Sequence, residues 1–357
     1  MQSSEQAKPL PFNDPAHWDK MVATYEAQSQ PFTTHFAEAA VAMLPIGRSS
    51  KVLDVATGTG AAALAAARRG ADVTAIDFSA GMVARVRAHE VANIEARQMD
   101  GQALDLPDAA FDAAVSVFGV MLFPDWRAGL REMARVTRPG GSAAIAVWKS
   151  ADGAAVYLLL SQIIRRLYPD HVTPMPCTGL AELADPTRLS AAIIAAGFSD
   201  PVVAEITHDF QLNVVNPADV DKLFEFMPHW GGLDADQSDT VARAFRGEIE
   251  RGRVGDSFAI PSTALIATAL RPSPRSPAAT AAPGCAINRH IACAGSTSSA
   301  LAPVVALLVC VTWRLQAGAV GPAVEFLDDP PMARPQCRRS TGLLRQFSGQ
   351  LDLFWHG

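Results

Sequence analysis

Gly58-Thr-Gly60, followed by Ala61 to Ala63, satisfies the loose GxGxx(G/A) spacing of a nucleotide-binding turn. Glycine lets a backbone turn sharply and approach a ligand with no β-carbon in the way. Alone, that spacing fits any tight strand–helix turn equally well. Asp77 sharpens it. It falls 23 residues after Asp54, at the end of the next apolar run, where a carboxylate can accept from both hydroxyls of a ribose. Asp54 stands four residues before Gly58. A pyrophosphate at the turn gains nothing from an extra negative charge there, whereas a ligand with an amino group and a sulfonium suits it. These residues therefore favour S-adenosyl-L-methionine over a nicotinamide dinucleotide.

Such a turn needs strands and helices in alternation to hold it. Lys51 to Val55 is a short apolar run, and Ala61 to Arg69 forms helix readily, with Gly70 where a C-terminal cap belongs. Ala71 to Ile76 reads as a second strand, then Ser79 to His89 as a helix with Ser79 at its N-cap. Ile94 to Met99 alternates, and Phe111 to Phe118 is almost continuously apolar, as a strand covered on both faces must be. Trp126, Leu130, Met133, Ala134 and Thr137 share a helical face that starts after Asp125 and stops at Pro139-Gly140-Gly141. Ser142 to Trp148 is the fifth strand. The rhythm is that of a doubly wound, mostly parallel α/β sheet, whose ligands bind beyond the carboxyl ends of the strands.

Composition bounds the rest. The 357 residues are 49% hydrophobic and 18% charged, enough to build a sizeable core. A net charge of −6 argues against gripping a nucleic-acid backbone. Five cysteines without a CxxC pair give neither a disulfide scaffold nor a recognisable zinc site, so no metal is expected. The first residues carry no basic start and no apolar run, so the expected compartment is the cytoplasm. Residues 272–357 differ from the rest: seven arginines, no lysine, four acids and four of the cysteines, behind a proline-rich junction that begins at Arg271. That junction rejects helix and sheet. The segment reads as a Pro/Ala/Ser-rich, largely disordered tail behind a folded unit at 1–271. Within it, Ile291 to Trp313 carries no charge and is long enough to span a bilayer, but its first half is Gly, Ser, Thr and Ala, and Pro303 interrupts the rest. No membrane helix is expected.

Six motifs occur in order. They are Val52-Leu-Asp-Val-Ala-Thr-Gly-Thr-Gly60, Ala75-Ile-Asp-Phe-Ser-Ala-Gly-Met82, Asp100-Gly-Gln-Ala-Leu-Asp-Leu-Pro107, Phe111-Asp112, Phe118-Gly-Val-Met-Leu-Phe-Pro-Asp125 and Arg135-Val-Thr-Arg-Pro-Gly-Gly141. Over about residues 15–271 the chain resembles the class I S-adenosylmethionine-dependent methyltransferases, particularly the small-molecule group that includes ubiquinone and menaquinone biosynthesis enzymes. The resemblance implies a seven-stranded Rossmann-like sheet, with the seventh strand antiparallel between the fifth and sixth. The densest motifs mark a cofactor core at about 50–150, and an insertion at about 209–259, rich in helix formers and in aromatics such as Phe210, is read together with an amino-terminal lid at about 15–45 as a helical cap over the crevice. The resemblance also implies roles. Gly58 and Gly60 would lie against the methionine and ribose, and Asp54 would orient the amino group. Asp77 would take the ribose hydroxyls, and Phe78 and Met82 would flank the adenine. Asp100 would accept from the adenine amino group, with the Gly101 amide beside it, and Phe118 would lie near the methionine end. Ala56 departs from the pattern, since many relatives have glycine there. Asp112 and Asp125 read as structural, the latter as an N-cap.

Methyl transfer is a direct displacement, so the protein chiefly aligns the nucleophile and excludes water. Candidate bases are Tyr25, His35, His208 and His229, none with a motif around it, and no catalytic residue is assigned. Enzymes that methylate nucleic-acid amino groups carry Asn/Asp-Pro-Pro-aromatic after the fourth strand. Here that place reads Phe118-Gly-Val-Met, and Asp329-Pro-Pro-Met332 lies in the tail. A small, partly apolar metabolite remains as the methyl acceptor. Two alternatives stay open from sequence: an NAD(P)-dependent oxidoreductase, and a non-catalytic adenosylmethionine-binding protein.

Overall fold

In the computed structural model, residues 11–172, 177–213 and 233–273 are described. Seven strands form one sheet in the order β3-β2-β1-β4-β5-β7-β6. They are β1 (Lys51–Val55), β2 (Asp72–Asp77), β3 (Ile94–Gln98), β4 (Phe111–Val117), β5 (Thr137–Trp148), β6 (Ser199–Asn213) and β7 (Ser257–Leu270). The first five pair in parallel, and β7 runs antiparallel to both β5 and β6. Val52, Leu53 and Val55 in β1 and Ala113 to Val115 in β4 are fully buried on both faces, which is why these strands are legible as unbroken apolar runs.

Helices cover both faces. α1 (Pro15–Thr24) is capped by Asp14 and continues through a π-helical turn, Tyr25–Ser29, into α2 (Gln30–Ala42). α3 (Ala61–Arg68) follows β1, and α4 (Ala80–Arg87) follows β2 with Ser79 as its N-cap. α5 (Trp126–Val136) starts at Asp125, whose side chain accepts the Ala128 N–H at 2.9 Å. α6 (Ala155–Leu167), α7 (Thr178–Glu182) and α8 (Pro186–Ala196) connect β5 to β6, and α9 (Ala235–Gly252) precedes β7. The main core lies between the sheet and its helices. A smaller cluster joins Leu160 and Ile164 of α6 to Val241 and Phe245 of α9 and Ile260 of β7.

Three boundaries differ from the sequence expectation. β5 begins at Thr137, directly after α5, so Pro139-Gly140-Gly141 lies inside the strand rather than ending the helix. The register slips between Phe111 and Ala113 there, and a Cβ at position 141 would fall 2.7 Å from the Asp112 carbonyl, so glycine permits the irregular pairing. Asp112 secures this corner by accepting from the Lys51 N–H at 2.8 Å and from Arg138 Nε at 2.6 Å. β6 runs on to Asn213 and β7 starts at Ser257, so the ends of the segment read as a cap insertion at 209–259 form a continuous ribbon. Residues 214–232, with Phe224, Phe226, Trp230 and His229, lie outside the described residues, as does the tail beyond Ser273 with its 291–313 stretch. Among the described residues no helix is long and apolar enough to cross a membrane.

Ile145 lies fully buried in β5, while Val202 on the edge strand β6 is 63% exposed. Ile145→Ala is expected to cost about 2–4 kcal/mol in denaturant unfolding, and Val202→Ala less than about 0.5 kcal/mol.

Candidate active site

A cavity of about 470 Å³ lies at the carboxyl ends of β1 to β5. Its floor begins at the turn after β1, where three residues take positive φ: Ala56 (57°), Gly58 (56°) and Gly60 (99°). Thr57 locks the turn, its N–H donating to the Ile76 carbonyl at 2.9 Å and its hydroxyl to Asp54 Oδ2 at 2.7 Å. Asp77, only 6% exposed, accepts the Gly58 N–H on Oδ2 at 2.9 Å and the Ser79 N–H on Oδ1 at 3.0 Å. Burial pushes the Asp77 carboxyl above its ordinary range, against the pull of those bonds.

Seven of the residues expected at the site line this cavity: Gly58, Asp77, Phe78, Met82, Asp100, Gly101 and Phe118. Asp54 and Gly60 do not line it. Asp54 is 2% exposed and sits behind the turn, bonded to Thr57 and to the Ala63 amide, where burial pushes its carboxyl up to about 7. Gly60 starts α3 and faces Val86 of α4. Asp100 is exposed, with both Gln102 bonds falling on its Oδ1. At position 101 a Cβ would lie 2.6 Å from Phe123 and 2.9 Å from Val55, so only glycine lets that aromatic ring close the wall.

The opposite end of the cavity is aromatic. Phe118, held at φ 61°, stacks on Trp148 with centroids 3.6 Å apart. Trp148 stacks on Phe32 at 5.8 Å, and Phe32 meets Phe210 edge to face at 5.4 Å. A side chain at position 119 would collide with the Ala56 methyl, so the strained alanine of one turn fits against the glycine of the other. Two strained non-glycine residues, Ala56 and Phe118, thus sit on the neighbouring turns after β1 and β4 and both line the cavity, as strain tends to gather where function needs it.

The arm formed by α1 and the π turn supplies the remaining wall, including His17, Trp18, Met21 and Tyr25. Of the candidate bases among the described residues, only Tyr25 reaches the cavity; His229 lies outside them. Burial raises the Tyr25 phenol pKa, and Tyr25 bonds Thr33, so at neutral pH it is a proton donor. His35 and His208 stack on each other at 4.7 Å and are not among the lining residues. His17, which sequence reasoning missed, does line the cavity, and burial lowers its pKa, leaving a neutral imidazole at pH 7. Trp148 was also missed as a site residue, and Phe210 was expected only as part of the insertion over the crevice. The one signal for Trp148 was its place at the carboxyl end of a central strand.

The sequence is similar to known proteins. Residues 52–141 match the family described as a methyltransferase domain. The demethylmenaquinone methyltransferase of Mycolicibacterium vanbaalenii is 36% identical over 166 residues, which is 44% of this chain and 72% of that protein. The chain belongs to the class I S-adenosylmethionine-dependent methyltransferases. A demethylmenaquinone methyltransferase of Corynebacterium glutamicum is also 36% identical, over 126 residues, 35% of this chain and about half (54%) of that protein. Among solved structures, the methyltransferase bound to the Haloferax volcanii Trm112 activator resembles it at 19% identity and a TM-score of 0.44, covering 72% of this chain and 98% of that one. Family membership decides between the readings left open by sequence: the methyltransferase is an enzyme, and its cofactor is S-adenosylmethionine. The cavity fits that group. Asp77 draws on the backbone amides of Gly58, Ser79 and Phe78, and a carboxylate with about four acceptor positions keeps one free for a hydroxyl.

Two expectations follow. A non-glycine residue in the left-handed region costs about 1–2 kcal/mol, partly offset by the greater freedom of unfolded glycine, so Ala56→Gly should raise stability by about 0.5–1 kcal/mol in urea unfolding. Asp54 holds its proton in the folded chain up to about pH 7 and releases it at the ordinary carboxylate value when unfolded. Stability of the ligand-free methyltransferase therefore falls as pH rises from about 4 towards 7, and Asp54→Asn flattens that slope in thermal melts.

Proposed function

We propose that the methyltransferase acts on a small, largely apolar acceptor with a planar unsaturated ring, held at the aromatic end of the cavity. In this reading Asp77 takes the ribose hydroxyls of the cofactor, Phe78 and Met82 flank its adenine, Asp100 accepts from the adenine amino group with the Gly101 amide beside it, and the Gly58 turn underlies the methionine portion. Asp54 acts from behind the turn, through Thr57 and the Ala63 amide, and Gly60 acts by starting α3. Bound S-adenosylmethionine supplies an electrophilic methyl group. The chain's own part is to align the acceptor and to keep water away.

The observation that carries the acceptor class is the wall of Phe32, Phe118, Trp148 and Phe210, whose faces and edges suit a flat ring. The names of the relatives, demethylmenaquinone methyltransferases, are consistent with a reduced quinone as that ring. Neutral His17 is available to accept a proton from a phenolic or carbon nucleophile.

Transfer of a labelled methyl group is the test, with a reduced demethylnaphthoquinone offered against a polar amine such as phosphoethanolamine. The ring compound should be the better acceptor. Phe210→Ala should raise its KM about tenfold, the scale of one lost aromatic contact, while cofactor affinity stays within about twofold. Preferential methylation of the polar amine would contradict the proposal.

A further inference from the structure

The amino-terminal arm walls the cavity, yet no side chain of α1 is fully buried. Core packing therefore does little to hold α1 in place, and specific polar contacts must do so. The Asp19 carboxylate accepts the Ser79 hydroxyl at 2.6 Å and the Gly81 N–H at 2.8 Å through the same Oδ1. Those donors belong to the first turn of α4, whose N-terminal dipole favours an anion. Both bonds hold the Asp19 carboxyl below the usual carboxylate range, so it is ionised at neutral pH. A Cβ at position 81 would fall 3.1 Å from the Asp19 Cα and 3.1 Å from a Val22 methyl, so glycine is what lets α1 come this close. Farther along the arm, Glu26 accepts from Arg85 Nε at 2.6 Å, and Gln30 accepts the Thr59 hydroxyl at 2.8 Å.

Ser79 connects this contact to the site. Its hydroxyl donates to Asp19 and accepts from the Met82 N–H at 3.1 Å, while its own N–H donates to Asp77. One residue therefore joins the arm, the start of α4 and the buried carboxylate.

We propose that Asp19 is a positioning residue for the cofactor: it latches α1 onto the first turn of α4, and the strength of that latch sets how long S-adenosylmethionine stays bound. The proposal rests on the reading of this cavity as the cofactor site. Met21, Thr24 and Tyr25 form the wall that the latch holds shut. Loss of the latch opens the arm without disturbing the Gly58 turn, so release quickens while the aligned complex reacts as before.

The experiment measures release of tritiated S-adenosylmethionine and the KM against kcat for the cofactor, in the full chain. Asp19→Ala should speed release about tenfold and raise KM in proportion, with single-turnover transfer at saturating cofactor within about twofold of wild type. Asp19→Asn keeps one acceptor oxygen and should recover part of the loss. Gly81→Ala should act in the same direction, and the Asp19→Ala, Gly81→Ala pair should be no worse than the more severe single change. Glu38→Ala, which removes only an exposed ion pair from α2 to Arg68 of α3, should leave release unchanged. Folded Asp19→Ala and Gly81→Ala proteins that release cofactor at the wild-type rate would overturn the latch alone. Wild-type protein that fails to hold the cofactor would overturn the cavity reading and the latch with it.

Discussion

The buried carboxylate of Asp77 ties together the two turns from which the site is built. One oxygen fixes the Gly58 amide of the turn after β1, and the other fixes the Ser79 amide that opens α4. A carboxylate this deeply buried is costly unless its oxygens are paired, and backbone amides are partners that no rotamer change can remove. β1 and β2 pair from Lys51–Asp72 to Val55–Ile76, which brings the turn and the carboxylate together in the correct register. Slipping that pairing by one residue would turn Asp77 to the other face.

Everything else in the cavity is arranged around that anchor. Asp54 lies behind the turn and helps set it through Thr57, so its charge, raised towards neutrality by burial, acts at one remove. The two strained residues, Ala56 and Phe118, stand on adjacent parallel strands' ends and close the space between them, leaving the stacked Phe118–Trp148 pair as the boundary with the aromatic half. The amino-terminal arm completes the enclosure. A transfer reaction that needs alignment and dryness more than acid–base machinery is served by this division: a floor of turns, an apolar end wall and a separately docked arm.

Much of this was legible in the sequence because β1, β2 and β4 are buried on both faces and the turns between them need glycine or an N-cap at fixed places. Ser79 and Asp125 announced their helices by residue type alone. The ends of β6 and β7 were harder to read, since the ribbon from Asp209 to Asn213 lies at the sheet edge and alternates polar with apolar, and Pro261 sits within its partner. At the site, a strand-end carboxylate declares itself, but chain position does not say whether it faces the crevice. Asp77 and Asp54 look alike in sequence, and only packing separates the one that lines the cavity from the one behind it. His17, Trp148 and Phe210 come from elements far apart in the chain; the strand-end place of Trp148 puts it near the crevice, but no local pattern says that the other two meet it there.

Calorimetric titration of S-adenosylhomocysteine into wild-type protein and Asp77→Ala tests the central role of that carboxylate most directly. Loss of a charge-assisted bond at a buried site should weaken binding by about 1.5–3 kcal/mol, or roughly 10- to 150-fold. An Asp77→Ala protein that stays folded and binds with unchanged affinity would contradict the account.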